Sequence, residues 1–225
     1  MPRLDVWLVD TGHFSSRQLA KRAIKEGNVT VDGKTCKPSA NVTGKENIKI
    51  LTDAANMPIG YLKLEKLDKL MDENLVEDPC LALDIGSSAG GFLLYLQHKG
   101  ARAIGIEVSD RFSERLQDIA ETYPEISVVF ADAFSIEPSS ILSEGELDLL
   151  LIDVTTDKDG TLNLISRFSF LLRNGGKLLA AFKLENEPTI VLQVIESIKK
   201  MGFKQIKTFH LDDSRQEVHI TASFM

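Results

Sequence analysis

Residues 81–96, LALDIGSSAGGFLLYL, run from an apolar strand through a glycine turn into an apolar helix. Backbone N–H groups at such a turn point at whatever binds there, which makes it a place for nucleotides. Three ligand classes compete: a dinucleotide, a nucleoside triphosphate and an adenosine derivative. A triphosphate-binding loop needs GxxxxGK[ST], and no lysine follows Gly91. A dinucleotide turn needs GxGxxG, whereas Gly86 is followed by Ser87, Ser88 and Ala89 before Gly90 and Gly91. Spacing thus argues against both phosphate-gripping turns, while a close backbone approach by a ligand stays possible.

Downstream of this stretch, short apolar runs alternate with helical patterns. The expected strands are 81–85, 102–107, 126–130, 147–153, 176–182, 203–209 and 216–223. The expected helices are 58–72, 90–99, 111–121, 161–172 and 188–201. Such alternation predicts an α/β fold, a mostly parallel sheet covered on both faces. The short DDSRQ segment, residues 212–216, permits the last two strands to form an antiparallel hairpin at the sheet edge.

Upstream the chain changes character. Residues 1–50 carry nine Lys/Arg against five Asp/Glu, and residues 51–225 carry seventeen against twenty-eight. A basic head on an acidic body fits an anionic partner such as nucleic acid, and equally a chance excess of solvated lysines. Ser15 and Ser16 are candidate caps for a helix that Gly27 stops, with Leu19, Ala20, Ala23 and Ile24 as its apolar stripe. Arg17, Lys21 and Lys25 stack at i, i+4 and i+8, which weakens an isolated helix by a few tenths of a kcal/mol per like-charge pair. A face that carries this cost suits phosphate contacts. VTVDG, residues 29–33, alternates like a strand and closes on an Asp32–Gly33 turn. The organisation expected is a small α+β head over 1–51, a linker with a lysine-bearing helix over 52–78, and the α/β body over 79–225.

Other classes are disfavoured. Cys36 and Cys80 show no metal or redox spacing, which predicts reduced thiols and a cytoplasmic protein. The charged first 25 residues hold no apolar run for a signal peptide, and no stretch nears the roughly 20 apolar residues that span a bilayer. None of the four scattered histidines reads as a metal ligand.

Two families resemble these patterns. SRQLAKRAIKEGNVTVDGK, residues 16–34, is similar to the S4 domain, a small RNA-binding module, through Ser16, Arg17, Ala20, Ile24, Gly27, Val29, Val31, Asp32 and Gly33. That resemblance covers roughly residues 2–50 and implies RNA contacts by Arg3, Arg17, Lys21, Arg22, Lys25 and Lys34. LDIGSSAGGF, residues 83–92, resembles motif I of S-adenosylmethionine-dependent methyltransferases in its FtsJ-like version. By analogy of fold, seven strands ending in a hairpin belong to the same class. The implied cofactor is S-adenosylmethionine, held by Asp84, Gly86, Ser87, Ser88, Gly90, Gly91 and Phe92. Glu107 at the second strand end would accept the ribose hydroxyls, Asp132 at the third would accept from the adenine amine, and Asp153 would line the same pocket.

The methyl acceptor follows from what is missing and what is present. Methylation of base amino groups usually accompanies an Asn/Asp-Pro-Pro-aromatic stretch after the fourth strand, and IDVTTDKDG, residues 152–160, holds neither proline nor aromatic. Pyrimidine C5 methylation needs a thiolate, and no cysteine follows Cys80. Lys63 in GYLKLEK, Asp153 in IDV, Lys183 in AAFK and Glu217 in QEVHI match the Lys-Asp-Lys-Glu tetrad of FtsJ-like ribose 2′-O-methyltransferases. With the S4 head, the chain resembles the TlyA or hemolysin A branch. The resemblance implies that Lys183 accepts or steers the 2′-hydroxyl proton, that Asp153 and Glu217 orient it, and that Lys63 helps hold the ribose. Lys66 and Lys69 offer alternative registers on the helix of Lys63. The branch's Arg-Gly-Gly is Ile59-Gly60-Tyr61 after Pro58, and Leu184 stands where proline usually follows the second lysine. The expected function is methylation of ribosomal RNA. The alternative is an RNA-binding assembly factor that keeps the fold without turnover. Pore formation, the family's customary label, finds no support in the sequence.

Overall fold

The computed structural model describes residues 1–14, 16–51, 57–71, 74–184, 188–211 and 217–225. The chain divides into two compact units, Met1–Leu62 and Lys63–Met225.

The first unit opens with α1 (Leu4–Asp10) and α2 (Arg17–Lys25). Ser16 caps α2 through its side chain, which accepts from the Leu19 N–H, while Ser15 lies outside the described residues. Gly27, at φ 78°, ends the helix by turning the chain left-handed. β1 (Val29–Val31) then pairs antiparallel with β2 (Lys34–Thr35) and with β3 (Ile48–Ile50). Asp32 and Gly33 both take positive φ, 50° and 76°, the geometry that a two-residue hairpin demands. Leu4, Leu8, Ala20, Ala23, Ile24 and Val29 form the core between helices and sheet. Helix α1 and strands β2 and β3 were not legible as periodic segments.

α3 (Ile59–Leu70) spans the division, and the rest belongs to the second unit: β4 (Leu81–Ile85), α4 (Gly91–His98), β5 (Arg102–Glu107), α5 (Ser113–Thr122), β6 (Ile126–Phe130), β7 (Leu147–Ile152), α6 (Lys158–Phe168), β8 (Leu172–Phe182), α7 (Pro188–Lys200), β9 (Phe203–Phe209) and β10 (Val218–Phe224). The strands form one seven-stranded sheet in the order β6-β5-β4-β7-β8-β10-β9. Pairs from β6 across to β8 are parallel, and β10 runs antiparallel to both β8 and β9. The α/β expectation therefore holds, with the antiparallel pair at one edge; residues 212–216 lie outside the described residues. Helix α6 begins three residues earlier than its apolar period suggests, because Asp157 caps it by accepting from the Gly160 N–H. Leu164, Ile165 and Phe168 of α6 and Val194 and Ile198 of α7 join Leu150, Leu178 and Ile220 in the main core.

Chain order places the site. β5 and β7 flank β4 on opposite sides, so the sheet's topological switch falls at the carboxyl end of β4. Parallel strands deliver their carboxyl ends to that edge, whereas antiparallel β10 delivers its start. For this reason Asp153 and Lys183 follow their strands while Glu217 precedes its own.

Candidate functional site

Gly86 follows β4 at φ 91°. A Cβ built there would lie 2.6 Å from the Asp153 carbonyl oxygen, so only glycine lets the two strand ends approach this closely. The turn closes with Gly90, also at positive φ, and α4 begins at Gly91 with Phe92 buried behind it. Ser87 is buried, and its hydroxyl donates to the Asp84 carbonyl at 3.1 Å. The Asp84 carboxylate is 1% exposed, and neither of its oxygens accepts a hydrogen bond among the described residues. Burial pushes its pKa up to about 7, and the charges of Asp153 and Glu107 push the same way. An orphaned buried acid beside a glycine turn is what a cationic ligand with N–H donors would satisfy. The residues present thus fit S-adenosylmethionine, whose sulfonium and ammonium are positive.

Glu107 ends β5 and is 8% exposed. Its Oε2 accepts from the Ser88 N–H and its Oε1 from the Ser109 N–H, each at 2.7 Å. The carboxylate thereby ties the glycine turn to the next strand end, and four lone-pair directions leave it capacity for a ribose. Asp132, after β6, is exposed and holds its own turn, accepting from the Phe134 N–H at 2.9 Å and the Ser135 hydroxyl at 3.0 Å. Sequence reasoning missed two apolar neighbours of these acids. Val108 is 67% exposed and Phe134 42%, at the ends of adjacent strands. Their position one and two residues after the acids Glu107 and Asp132 was the available signal.

Three of the four tetrad positions meet. Lys63 Nζ donates to Asp153 Oδ2 at 2.7 Å and to Glu217 Oε1 at 3.2 Å. Lys66 instead donates to the Leu211 carbonyl, and Lys69 pairs with Glu65. Lys183 does not join the carboxylates. Its side chain is exposed, and its ammonium donates to the Val154 carbonyl at 3.1 Å and the Thr155 hydroxyl at 3.2 Å, on the loop immediately after Asp153. The expected convergence of two amines and two acids is therefore met by one amine, because Lys63 already spans both carboxylates. A further residue enters behind them: His219 is 1% exposed, with Nε2 3.5 Å from Glu217 Oε2. Burial, aided by the Lys63 charge, pushes its pKa down to about 4, so it stays neutral at physiological pH.

In the first unit the cations surround an acid that the sequence reading overlooked. Asp5 is fully buried and accepts from Arg3 Nε at 2.9 Å and Arg17 Nη2 at 3.1 Å, with Lys21 Nζ 3.8 Å away. Burial opposes its ionisation, but the two guanidinium groups outweigh burial and hold the carboxyl below its ordinary value. The like-charge stack on α2 is thus relieved by a carboxylate from α1, while Arg3, Arg17 and Lys21 keep about half of their side-chain surface open to solvent. Arg22 turns inward and donates to the Met57 carbonyl at 2.6 Å, leaving Lys25 and Lys34 exposed.

Comparison with known proteins bears on the family and the fold. Residues 2–48 match the S4 domain and residues 60–223 match the FtsJ-like methyltransferase family. Over 66 residues the chain is 32% identical to "Ribosomal RNA small subunit methyltransferase A" of Phenylobacterium zucineum. That match takes in 29% of this chain and 23% of the relative, so the chain spans about a quarter of the relative's length. A hemolysin-labelled protein of Streptococcus thermophilus superposes over 100% of this chain and 88% of its own at TM-score 0.61 and 22% identity. Aeropyrum pernix fibrillarin, solved with S-adenosyl-L-methionine, covers 87% of this chain and 94% of its own at TM-score 0.59 and 22% identity. These likenesses carry the fold. Among the described residues no helix is long and apolar enough to cross a membrane. With the family model matching most of its length, the chain belongs to the FtsJ-like methyltransferase family and carries an S4 domain ahead of the methyltransferase fold.

Proposed function

We propose that the chain methylates RNA at a ribose 2′-hydroxyl, with ribosomal RNA as substrate, in the cytoplasm. The observation that carries this reading is Lys63 held between Asp153 and Glu217 beside the glycine turn. S-adenosylmethionine, when bound, supplies an electrophilic methyl group. Asp84 and the Gly86–Gly91 turn would hold its amino-acid end, Glu107 its ribose, and Val108 and Phe134 the faces of its adenine. Asp132, already committed to its own turn, would contribute at the adenine edge.

Transfer to a hydroxyl needs alignment and removal of a proton. Lys63, fixed by two carboxylates, positions the acceptor ribose. Lys183, directly after β8, reaches the loop that follows Asp153 with its ammonium and is paired with neither carboxylate, which leaves its amine to meet the acceptor hydroxyl. The exposed cations of the S4 domain would bring the RNA, and the likeness over 66 residues to an rRNA methyltransferase favours the same substrate class. Substituting Lys183→Met and Lys63→Met separately tests the division of roles. Each variant is expected to lose methyl transfer at least 100-fold while binding S-adenosylmethionine within threefold of the parent, read by calorimetry. Full transfer by both variants would overturn the assignment.

A further inference from the structure

Edge strand β9 gives the second unit a surface that its acidic composition conceals. Between Glu196 and Asp212 the chain carries Lys199, Lys200, Lys204 and Lys207 and no carboxylate. Lys204 and Lys207 are exposed on β9. Three positions apart, they would point to opposite faces of a regular strand. The strand is not regular. Gln205 stands at φ 53°, and the register slips so that Lys207 lies opposite Thr221 and Lys204 opposite Ser223 on β10. Directly opposed residues share a face, and Thr221 and Ser223 are two apart, so the bulge turns both lysines to one side. Lys177 of β8 lies opposite Ser223 from the other flank and joins them. On the same face of β10, at its other end, stand His219 and Glu217.

A cavity of about 370 Å³ opens on this face, lined by Lys177, Lys207, Thr221 and Ser223 and walled by Met71 and Leu75. Lys177 also donates to Glu77 and to the Asn74 carbonyl at the rim, and the Ser223 hydroxyl donates to Gln205 Oε1. From Ser223 to Glu217 the strand covers about 20 Å, the reach of a few nucleotides. Lys66, donating to the Leu211 carbonyl, fastens the far end of β9 to α3 one turn beyond Lys63.

We propose that this lysine-flanked groove binds the phosphodiester backbone of the RNA strand beside the methylated nucleotide, a contact additional to those of the S4 domain. It rests on the reading of the second unit as an RNA 2′-O-methyltransferase. Amines and hydroxyls meet phosphate and ribose, while the methionine and leucine wall meets the apolar sugar edge. Lysines on an edge strand also deter pairing with another chain. That role needs charge on either face, and it gives no reason for both lysines to be turned to the one face on which Lys207 lines the cavity.

The test uses the full chain, deproteinised ribosomal RNA as probe, and the double variants Lys204→Gln/Lys207→Gln and Lys204→Arg/Lys207→Arg. Affinity is measured across a series of salt concentrations. Two lost phosphate contacts are expected to reduce the slope of log K against log salt by about 1.4–1.8 in the glutamine variant. The arginine variant keeps the parental slope, and both bind S-adenosylmethionine as the parent does. An unchanged slope in the glutamine variant overturns the proposal, whether or not that variant self-associates. Should the slope fall although the parent transfers no methyl group to RNA, the groove stands as an RNA surface and the methyltransferase reading falls.

Discussion

Asp84 is the residue whose burial the proposed cofactor would explain. A buried carboxyl without a hydrogen bond costs stability, and among the described residues Asp84 finds no partner for either oxygen. Its folded-state pKa of about 7 lies above the ordinary value near 3.9, so the folded protein holds a proton that the unfolded chain has already released. Stability of the ligand-free protein should therefore decline as pH rises from about 4 to about 7, by up to about 1.4 kcal/mol per unit. Asp84→Asn should flatten that decline and at pH 8 leave the ligand-free protein more stable than the parent, as read from urea unfolding across pH. The same variant should bind S-adenosylmethionine at least tenfold more weakly, because an amide does not answer the ligand's positive charge. A parental stability that is flat between pH 4 and 7 would contradict the assignment.

At the scale of elements, α3 places Lys63 and is itself held by one buried acid. Asp68 Oδ1 accepts from the Leu75 N–H at 2.8 Å, and Oδ2 accepts from the Tyr95 hydroxyl at 2.6 Å with Lys99 3.2 Å away. Tyr95 lies on α4, the helix that starts at the glycine turn, so this contact couples the lysine helix to the cofactor turn. A hydrogen bond to a charged group contributes about 1.5–3 kcal/mol, and Tyr95→Phe should lower stability by that amount in denaturant titration. Loss below about 0.5 kcal/mol would show that the Tyr95 hydroxyl does not help to hold α3.

What could be read beforehand is bounded by the same physics. Strands buried on both faces, and helices with strong apolar periods, declared themselves in the second unit. Helix α1 did not, being seven residues long and capped by Arg3 without a side-chain hydrogen bond. β2, two residues long, owes its existence to pairing with β1. Motif spacing located Gly86, Glu107, Asp153 and Glu217 at strand ends, because topology delivers those positions to one edge. It did not reveal where a long flexible side chain would settle, and so gave no sign that the Lys183 ammonium would bond to Val154 and Thr155. Asp5 and His219 were invisible for a different reason: a lone acid or histidine in sequence carries no sign of the cations it will meet in the fold.

At the scale of the whole molecule, the proposed function assigns different tasks to two units that have separate cores and opposite charge balance. The first 50 residues carry the excess of cations, and the remainder is acidic apart from local surfaces such as β9. Removal of residues 1–50 should abolish methylation of long RNA while leaving S-adenosylmethionine affinity within threefold, measured by calorimetry on the shortened chain. Retained full activity on long RNA would refute that division.

The most direct measurement is chemical identification of the product. Deproteinised ribosomal RNA is incubated with the protein and S-adenosylmethionine carrying a labelled methyl group, then digested to nucleosides and resolved by mass spectrometry. The account predicts label on the ribose of a 2′-O-methylated nucleoside, absent when Lys183→Met replaces the parent. Label on a base, or no transfer to RNA at all, would contradict it.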